Sequence, residues 1–326
     1  MSYLQALQRA KLDRETTTNK TASSEALNDA IRANGEALPG ILASQHLGIG
    51  GPASTLRASG VDTVEVTLEG IKLNESIATA LDSRDAALSS IPEIHVDVLS
   101  ADPHAVSVTQ PQSIYCEEYR SLRTHLLRQS KLQHLQAIVI ASVGVGEGKS
   151  ITALNLAWLL AQTEGVSALL IDCDLRRPSL SGYFGLNLKD GLSNVLDGHM
   201  NLADGIVRLM PAGLYLLPGG KARADVAELI SGQMFAQILE EARSLFDYVI
   251  IDAPPLGVFT DAAVLINQAD AALMVVAANQ TKYKEFDRVL ESVPRERMLG
   301  VVLNKSDESL IENGYYDYPH YYTANK

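Results

Sequence analysis

The chain has 326 residues, with 39 acidic against 27 basic side chains, a net charge of −12, and two cysteines, Cys116 and Cys173. That length supports one large domain plus a smaller one around a well-buried core. The acidic surplus argues against nucleic acid as the principal ligand, since a phosphate backbone is met by a net basic face, and two distant cysteines make neither a disulfide framework nor a zinc site.

Residues 1–112 contain no catalytic motif and read as a small, partly ordered adaptor or regulatory region ending in a linker. Met1 to Leu12 lacks the apolar core of a signal peptide. No run reaches the roughly 18 apolar residues that cross a bilayer, so a cytoplasmic protein is expected, brought to the membrane only through a partner. Arg14 to Ser24 is solvated linker in composition. Val61 to Leu68 alternates like a strand, and Glu75 to Leu88 can form an amphipathic helix. Leu99 to Ser113, with two prolines among small polar residues, reads as a boundary.

From about residue 115 the pattern becomes α/β. Five short apolar runs recur, at Ala137–Ala141, Ala168–Ile171, Tyr248–Ile251, Ala272–Val276 and Gly300–Leu303. They show little alternation, as strands covered on both faces should. Helical segments lie between them, among them Lys149 to Gln162 and Gly232 to Ser244. The expectation is a doubly wound, mainly parallel sheet over residues 113–307, with its ligand at the carboxyl ends of the strands.

Val143 to Ser150, directly after the first run, reads V-G-V-G-E-G-K-S and opens a helix. Glycines let the backbone turn its N–H groups around an anion, and the helix N-terminus favours negative charge. Nucleotide contacts are therefore expected from Gly144, Val145, Gly146, Glu147, Gly148, Lys149, Ser150 and Ile151. Lys149 would reach the terminal phosphates, and the Ser150 hydroxyl would ligate magnesium. Val143 stands where the usual G-x-x-x-x-G-K-S pattern has its first glycine.

The second and third runs each lead into aspartate, in Leu170-Ile171-Asp172-Cys173-Asp174-Leu175-Arg176 and Val249-Ile250-Ile251-Asp252-Ala253-Pro254-Pro255. Asp252 is expected to hold magnesium, a hard cation that takes oxygen ligands, and Asp172 to share in it. Asp172 and Asp174, two apart, would share a face if both lay on the strand. One would orient a magnesium-bound water and the other accept a proton, with the assignment open. A lone strand-end aspartate is as well explained by helix capping; several beside a phosphate loop are not.

Asn304-Lys305-Ser306-Asp307 matches N-K-x-D, a guanine-reading pattern, which keeps a GTPase as an alternative. Residues 308–326 form a tail with Tyr315, Tyr316, Tyr318, Tyr321 and Tyr322. Such density is not core packing. Beside a phosphate loop these phenols read as phosphate acceptors rather than an aromatic docking strip.

The L-L-I-D-C-D-L-R-R-P segment resembles the Walker A′ sequence of the bacterial tyrosine kinases of capsule and exopolysaccharide export, and Phe246 to Pro255 resembles their Walker B. Glu117, Arg120 and Arg123 match the family's E-x-x-R-x-x-R helix, although by spacing alone they are ordinary helix surface pairs. The resemblance spans about residues 113–326. The family commonly has Pro in place of Val145 and Asn-Pro in place of Asp225-Val226.

The resemblance implies an ATP- and Mg2+-dependent protein-tyrosine autokinase acting on its own tail, with Lys149, Asp172 and Asp174 catalytic and Asn304 near adenine. It also implies subunits joined in a ring through Glu117, Arg120 and Arg123. A transmembrane polysaccharide co-polymerase activator and a cognate phosphatase are the implied partners. A MinD/ParA-type ATPase switch is the rival reading; that family carries an extra lysine where this chain has Gly144.

Overall fold

The computed structural model describes residues 84–306. The strand expected over Val61–Leu68, most of the helix expected over Glu75–Leu88 and the tyrosine tail lie outside the described residues; the remainder of that helix is helical over residues 84–89.

The described strands are β1 Glu93–His95, β2 Ala137–Ser142, β3 Ala168–Asp172, β4 Val207–Met210, β5 Leu214–Leu217, β6 Tyr248–Asp252, β7 Ala271–Ala277 and β8 Met298–Asn304. They form one sheet in the order β1-β4-β5-β3-β6-β2-β7-β8. From β5 to β8 every neighbour is parallel, whereas β4 runs antiparallel to β5 and carries β1 parallel to itself. The five expected runs became β2, β3, β6, β7 and β8.

The longer helices are α1 Ile114–Gln133, α2 Lys149–Ala161, α3 Gln233–Leu245, α4 Asp261–Gln268 and α5 Tyr283–Leu290. Every residue of β2, β3 and β6 is buried. Alternate side chains serve opposite layers: Val139, Leu169 and Ile251 pack with Phe235 and Ile238 of α3 and Leu265 of α4. Ile138, Leu170 and Ile250 pack with Leu126 of α1 and Leu154 and Trp158 of α2. Burial on both faces is why these strands read as unbroken apolar runs.

The stretch 99–113, expected as a boundary, packs instead on α2. Ala105, Ser107 and Val108 are buried. The Ser107 N–H donates to Asn155 Oδ1 at 2.8 Å, and Asn155 Nδ2 donates to the carbonyls of His104 at 3.0 Å and Ile151 at 2.9 Å. One buried asparagine satisfies irregular backbone that would otherwise lie unpaired against the core. Immediately afterwards Ser113 caps α1, its hydroxyl accepting the Cys116 N–H at 3.2 Å.

Candidate active site

The carboxyl ends of β2, β3 and β6 meet at one place. Asp172 and Asp252 are register partners on adjacent strands, and Asp252 pairs with Ile140 on its other side. The loop 143–148 leaves β2 there and enters α2. Gly148 has φ +97°, and a Cβ on it would lie 2.0 Å from Asn304 Nδ2, so this position requires glycine on two counts. Val143 is buried, and its carbonyl accepts the Gly257 N–H at 3.0 Å. The loop is thereby fastened to the turn that follows β6.

Lys149 joins the carboxylates. Its ammonium lies 2.9 Å from Asp174 Oδ2 and 3.5 Å from Asp252 Oδ1, and 3.0 Å from the Ser150 hydroxyl. Burial disfavours the ammonium, but Asp252, Asp174 and Asp172 outweigh that and hold its pKa above the ordinary lysine value.

Asp172 is 1% exposed and Asp252 is fully buried. Asp172 Oδ2 accepts the N–H groups of Ser179 at 2.8 Å and Leu180 at 3.0 Å, so one of its oxygens does cap the short helical turn Leu180–Tyr183. Its Oδ1 and Asp252 Oδ2 are buried without a hydrogen-bond partner. Burial, followed by the charge of Asp252, pushes the Asp172 carboxyl up to about 7. Burial likewise raises Asp252, against the pull of Lys149 and the Ser150 hydroxyl.

One sequence expectation changes in detail. Asp174 does not share a strand face with Asp172, because β3 ends at Asp172; it still reaches the same centre, through Lys149. Asn304 stands beside the loop, where its amide donates to the Glu147 carbonyl at 2.9 Å. Val145 is 70% exposed at the loop's tip, and Ile151 lies in the first turn of α2.

On α1, Arg120 pairs with Glu117 and donates to the Pro111 carbonyl at 2.7 Å. Arg123 donates to the Leu159 carbonyl at 3.1 Å. Arg123 Nε is buried without a hydrogen-bond partner. Asp225, where the resembled family has Asn, pairs with Arg223 at 2.9 Å.

Sequence reasoning missed other residues around the centre. Arg176 makes a two-pronged pair with the buried Asp261, at 2.7 and 3.2 Å, and stacks over Phe259 at 4.5 Å. Glu147 is held by Thr281, 134 positions away. The Arg within the second motif was a signal for the first; nothing local announced the second. Among the described residues no helix is long and apolar enough to cross a membrane.

Comparison with known proteins agrees with this geometry. An AAA domain family model matches residues 135–295. Tyrosine-protein kinase YwqD of Bacillus subtilis is 32% identical over 216 residues, covering 65% of this chain and 91% of that protein. Tyrosine-protein kinase CpsD of Streptococcus agalactiae is 35% identical over 201 residues, 61% of this chain and 85% of that one. Among solved structures, the kinase domain of Escherichia coli tyrosine kinase ETK matches with TM-score 0.57 and 26% identity, over 64% of this chain and 83% of that one. The chimerical protein CapA2B2 matches with TM-score 0.59 and 28% identity, over 69% of this chain and 98% of that one. With a phosphate loop facing two buried strand-end aspartates and this similarity to those enzymes, the chain belongs to the bacterial tyrosine-protein kinases of capsule and exopolysaccharide type.

Proposed function

We propose that the protein is an ATP- and Mg2+-dependent autokinase that phosphorylates Tyr315, Tyr316, Tyr318, Tyr321 and Tyr322 of its own tail, and so regulates exopolysaccharide or capsule synthesis or export. The observation that carries the site assignment is the pair of buried, unpartnered oxygens, Asp172 Oδ1 and Asp252 Oδ2, beside Lys149 and Ser150. A buried anionic oxygen without a partner is costly, and a hard cation is the partner that suits it. Among the described residues no three His, Cys, Asp or Glu side chains hold a metal by themselves. The cation would therefore be held by Ser150, Asp252 and Asp172 together with phosphate oxygens and water, as magnesium sites commonly are. Bound there, it would neutralise charge on the transferring phosphoryl group.

The chain's own residues divide the remaining work. The loop from Gly144 to Ile151 cradles the phosphates with its N–H groups, and Lys149 offsets the negative charge of the terminal phosphate. The phenol oxygen of an acceptor tyrosine attacks the γ-phosphorus, the bond from that phosphorus to the β–γ bridging oxygen breaks, and ADP departs. A phenol with a pKa near 10 must lose its proton as it attacks. Asp174 is the better acceptor of that proton, because Asp172 has one oxygen on the Ser179 and Leu180 N–H groups and is assigned with the other to the cation.

The family and the likeness to CapA2B2 support a CapA-type transmembrane co-polymerase as activator. Through it the kinase would work at the inner face of the membrane, with a cognate phosphatase to reset it. Assembly through Glu117, Arg120 and Arg123 would bring one subunit's tail to its neighbour at high effective concentration. Each phosphate adds roughly −1.5 to −2 charges, enough on an acidic chain to drive a modified tail from the site. The residues before 84 would serve as the adaptor, since β1 and residues 105–108 belong to the kinase core.

Intact-mass spectrometry with ATP, magnesium and the candidate activator tests the reading. A ladder of phosphate additions is expected on the full chain. It should vanish in a chain ending at Glu312 and in Lys149→Met. Phosphotyrosine persisting in purified Lys149→Met would defeat the site assignment, and a ladder surviving truncation would defeat the tail assignment.

A further inference from the structure

The phosphate loop is braced from outside by groups that none of its motifs contains. The Glu147 carboxylate is buried inside the loop. Its Oε2 accepts the Gly144 N–H at 2.9 Å, and its Oε1 accepts the Thr281 hydroxyl. Thr281 belongs to the turn between β7 and α5, where its own N–H rests on the Ala277 carbonyl at 3.2 Å. That turn is joined to the end of β8 by the Ala278 N–H on the Asn304 carbonyl at 2.8 Å. Asn304 in turn holds the Glu147 main chain by its carbonyl. One loop residue is thus gripped at its side chain from the β7 turn and at its backbone from β8.

A carboxylate inside a phosphate loop needs such a grip. The N–H groups that cradle phosphate at a helix N-terminus attract any anion, including one on the same chain. A Glu147 free to rotate would compete with the triphosphate for those donors and repel it. A buried carboxylate oxygen stripped of its donor is also costly, which favours such a rotation.

We propose that Thr281 is a positioning residue for the nucleotide: its hydroxyl pins the Glu147 carboxylate on the Gly144 N–H, away from the remaining phosphate-binding N–H groups, and thereby sets ATP affinity. The proposal rests on the phosphate-loop assignment above. Thr281 acts through Glu147 and leaves the reacting atoms to Lys149 and the aspartates.

The test is calorimetric titration of the full chain with ATP and magnesium, paired with steady-state phosphorylation. Thr281→Val, close in size but lacking the hydroxyl, should raise Kd and KM for ATP about tenfold, with kcat at saturating ATP within about twofold. Thr281→Ser should bind within about twofold of the parent. In a Glu147→Gln background, with no negative charge left to pin, Thr281→Val should change Kd less than about twofold. The brace is overturned if Thr281→Val binds ATP like the parent while Lys149→Met has lost binding. It is equally overturned if kcat falls with Kd unchanged. If Lys149→Met binds ATP normally as well, the phosphate-loop assignment falls together with the brace.

Discussion

Strand β6 is preceded by Asp247 and ends on Asp252, and the two ends of the sheet treat their carboxylates in opposite ways. At the amino end, Asp247 accepts the Ser167 N–H at 2.7 Å and its hydroxyl at 2.8 Å, and pairs with Arg84 at 3.0 Å. Next to it Asp270 accepts the N–H groups of Gln136 and Ala137 at 2.9 and 2.8 Å and both prongs of Arg243 at 2.8 Å. Burial pushes both carboxyls up, but these donors outweigh it and hold each below its usual range. At the carboxyl end, Asp172 and Asp252 are more deeply buried, keep an orphaned oxygen each, and are raised. The same residue type staples the sheet at one end and is left under-satisfied at the other, where charge is to be received.

Substitutions on the two ends should separate activity from stability. The largest effect is expected for Asp252→Asn, which removes the buried negative charge and should lower tail phosphorylation about a hundredfold or more. Thermal unfolding of the metal-free protein should show no loss of stability. A parallel fall in both would mean Asp252 is structural after all.

Asp270→Ala should do the reverse. Stranding Arg243 and the N–H groups of Gln136 and Ala137 should cost about 3 kcal/mol in denaturant unfolding, with phosphorylation per folded molecule within about twofold. Activity lost at constant stability would contradict the comparison.

Asp172→Asn keeps an acceptor for Ser179 and Leu180 and sets an amide where the orphaned oxygen lies. A carboxyl raised to about 7 favours the folded state below its unfolded pKa and loses that contribution as pH rises through 7. The variant should therefore gain about 1–2 kcal/mol over the metal-free parent at pH 8, and less at pH 5. A gain independent of pH would show that Asp172 is not the titrating group.

The smallest effect belongs to Asp247→Asn. A carboxyl held low contributes stability above its unfolded value of 3.8 and loses it as pH falls through the folded value. The variant's stability should therefore fall less steeply below pH 3.8 than the parent's, as circular dichroism across an acid titration would record.

What the sequence disclosed follows from how each element is buried. Strands covered on both faces announced themselves as apolar runs, and so did the glycine-rich loop with Lys149 and Ser150. β4 and β5 did not: each has four residues, Arg208 interrupts the first, and Pro211 stands between them. β1 has three residues, two of them exposed, and so carries no periodic signal. In the site, aspartates at strand ends were legible because motif and strand coincide. Their division of labour was not, since it depends on which oxygens backbone N–H groups have already taken. Thr281 against Glu147, and Asp261 against Arg176, are contacts between distant segments that only the folded sheet brings together.

Asn155 has a mechanical consequence. Its amide nitrogen holds the carbonyls of His104 and Ile151 at once, and Ile151 lies in the first turn of the helix that the phosphate loop opens. The segment arriving from the N-terminal side is thus hydrogen-bonded, through one side chain, to the helix that the phosphate loop opens. A tug on the chain at His104 has a direct load path to the loop, with no need to pass through the sheet.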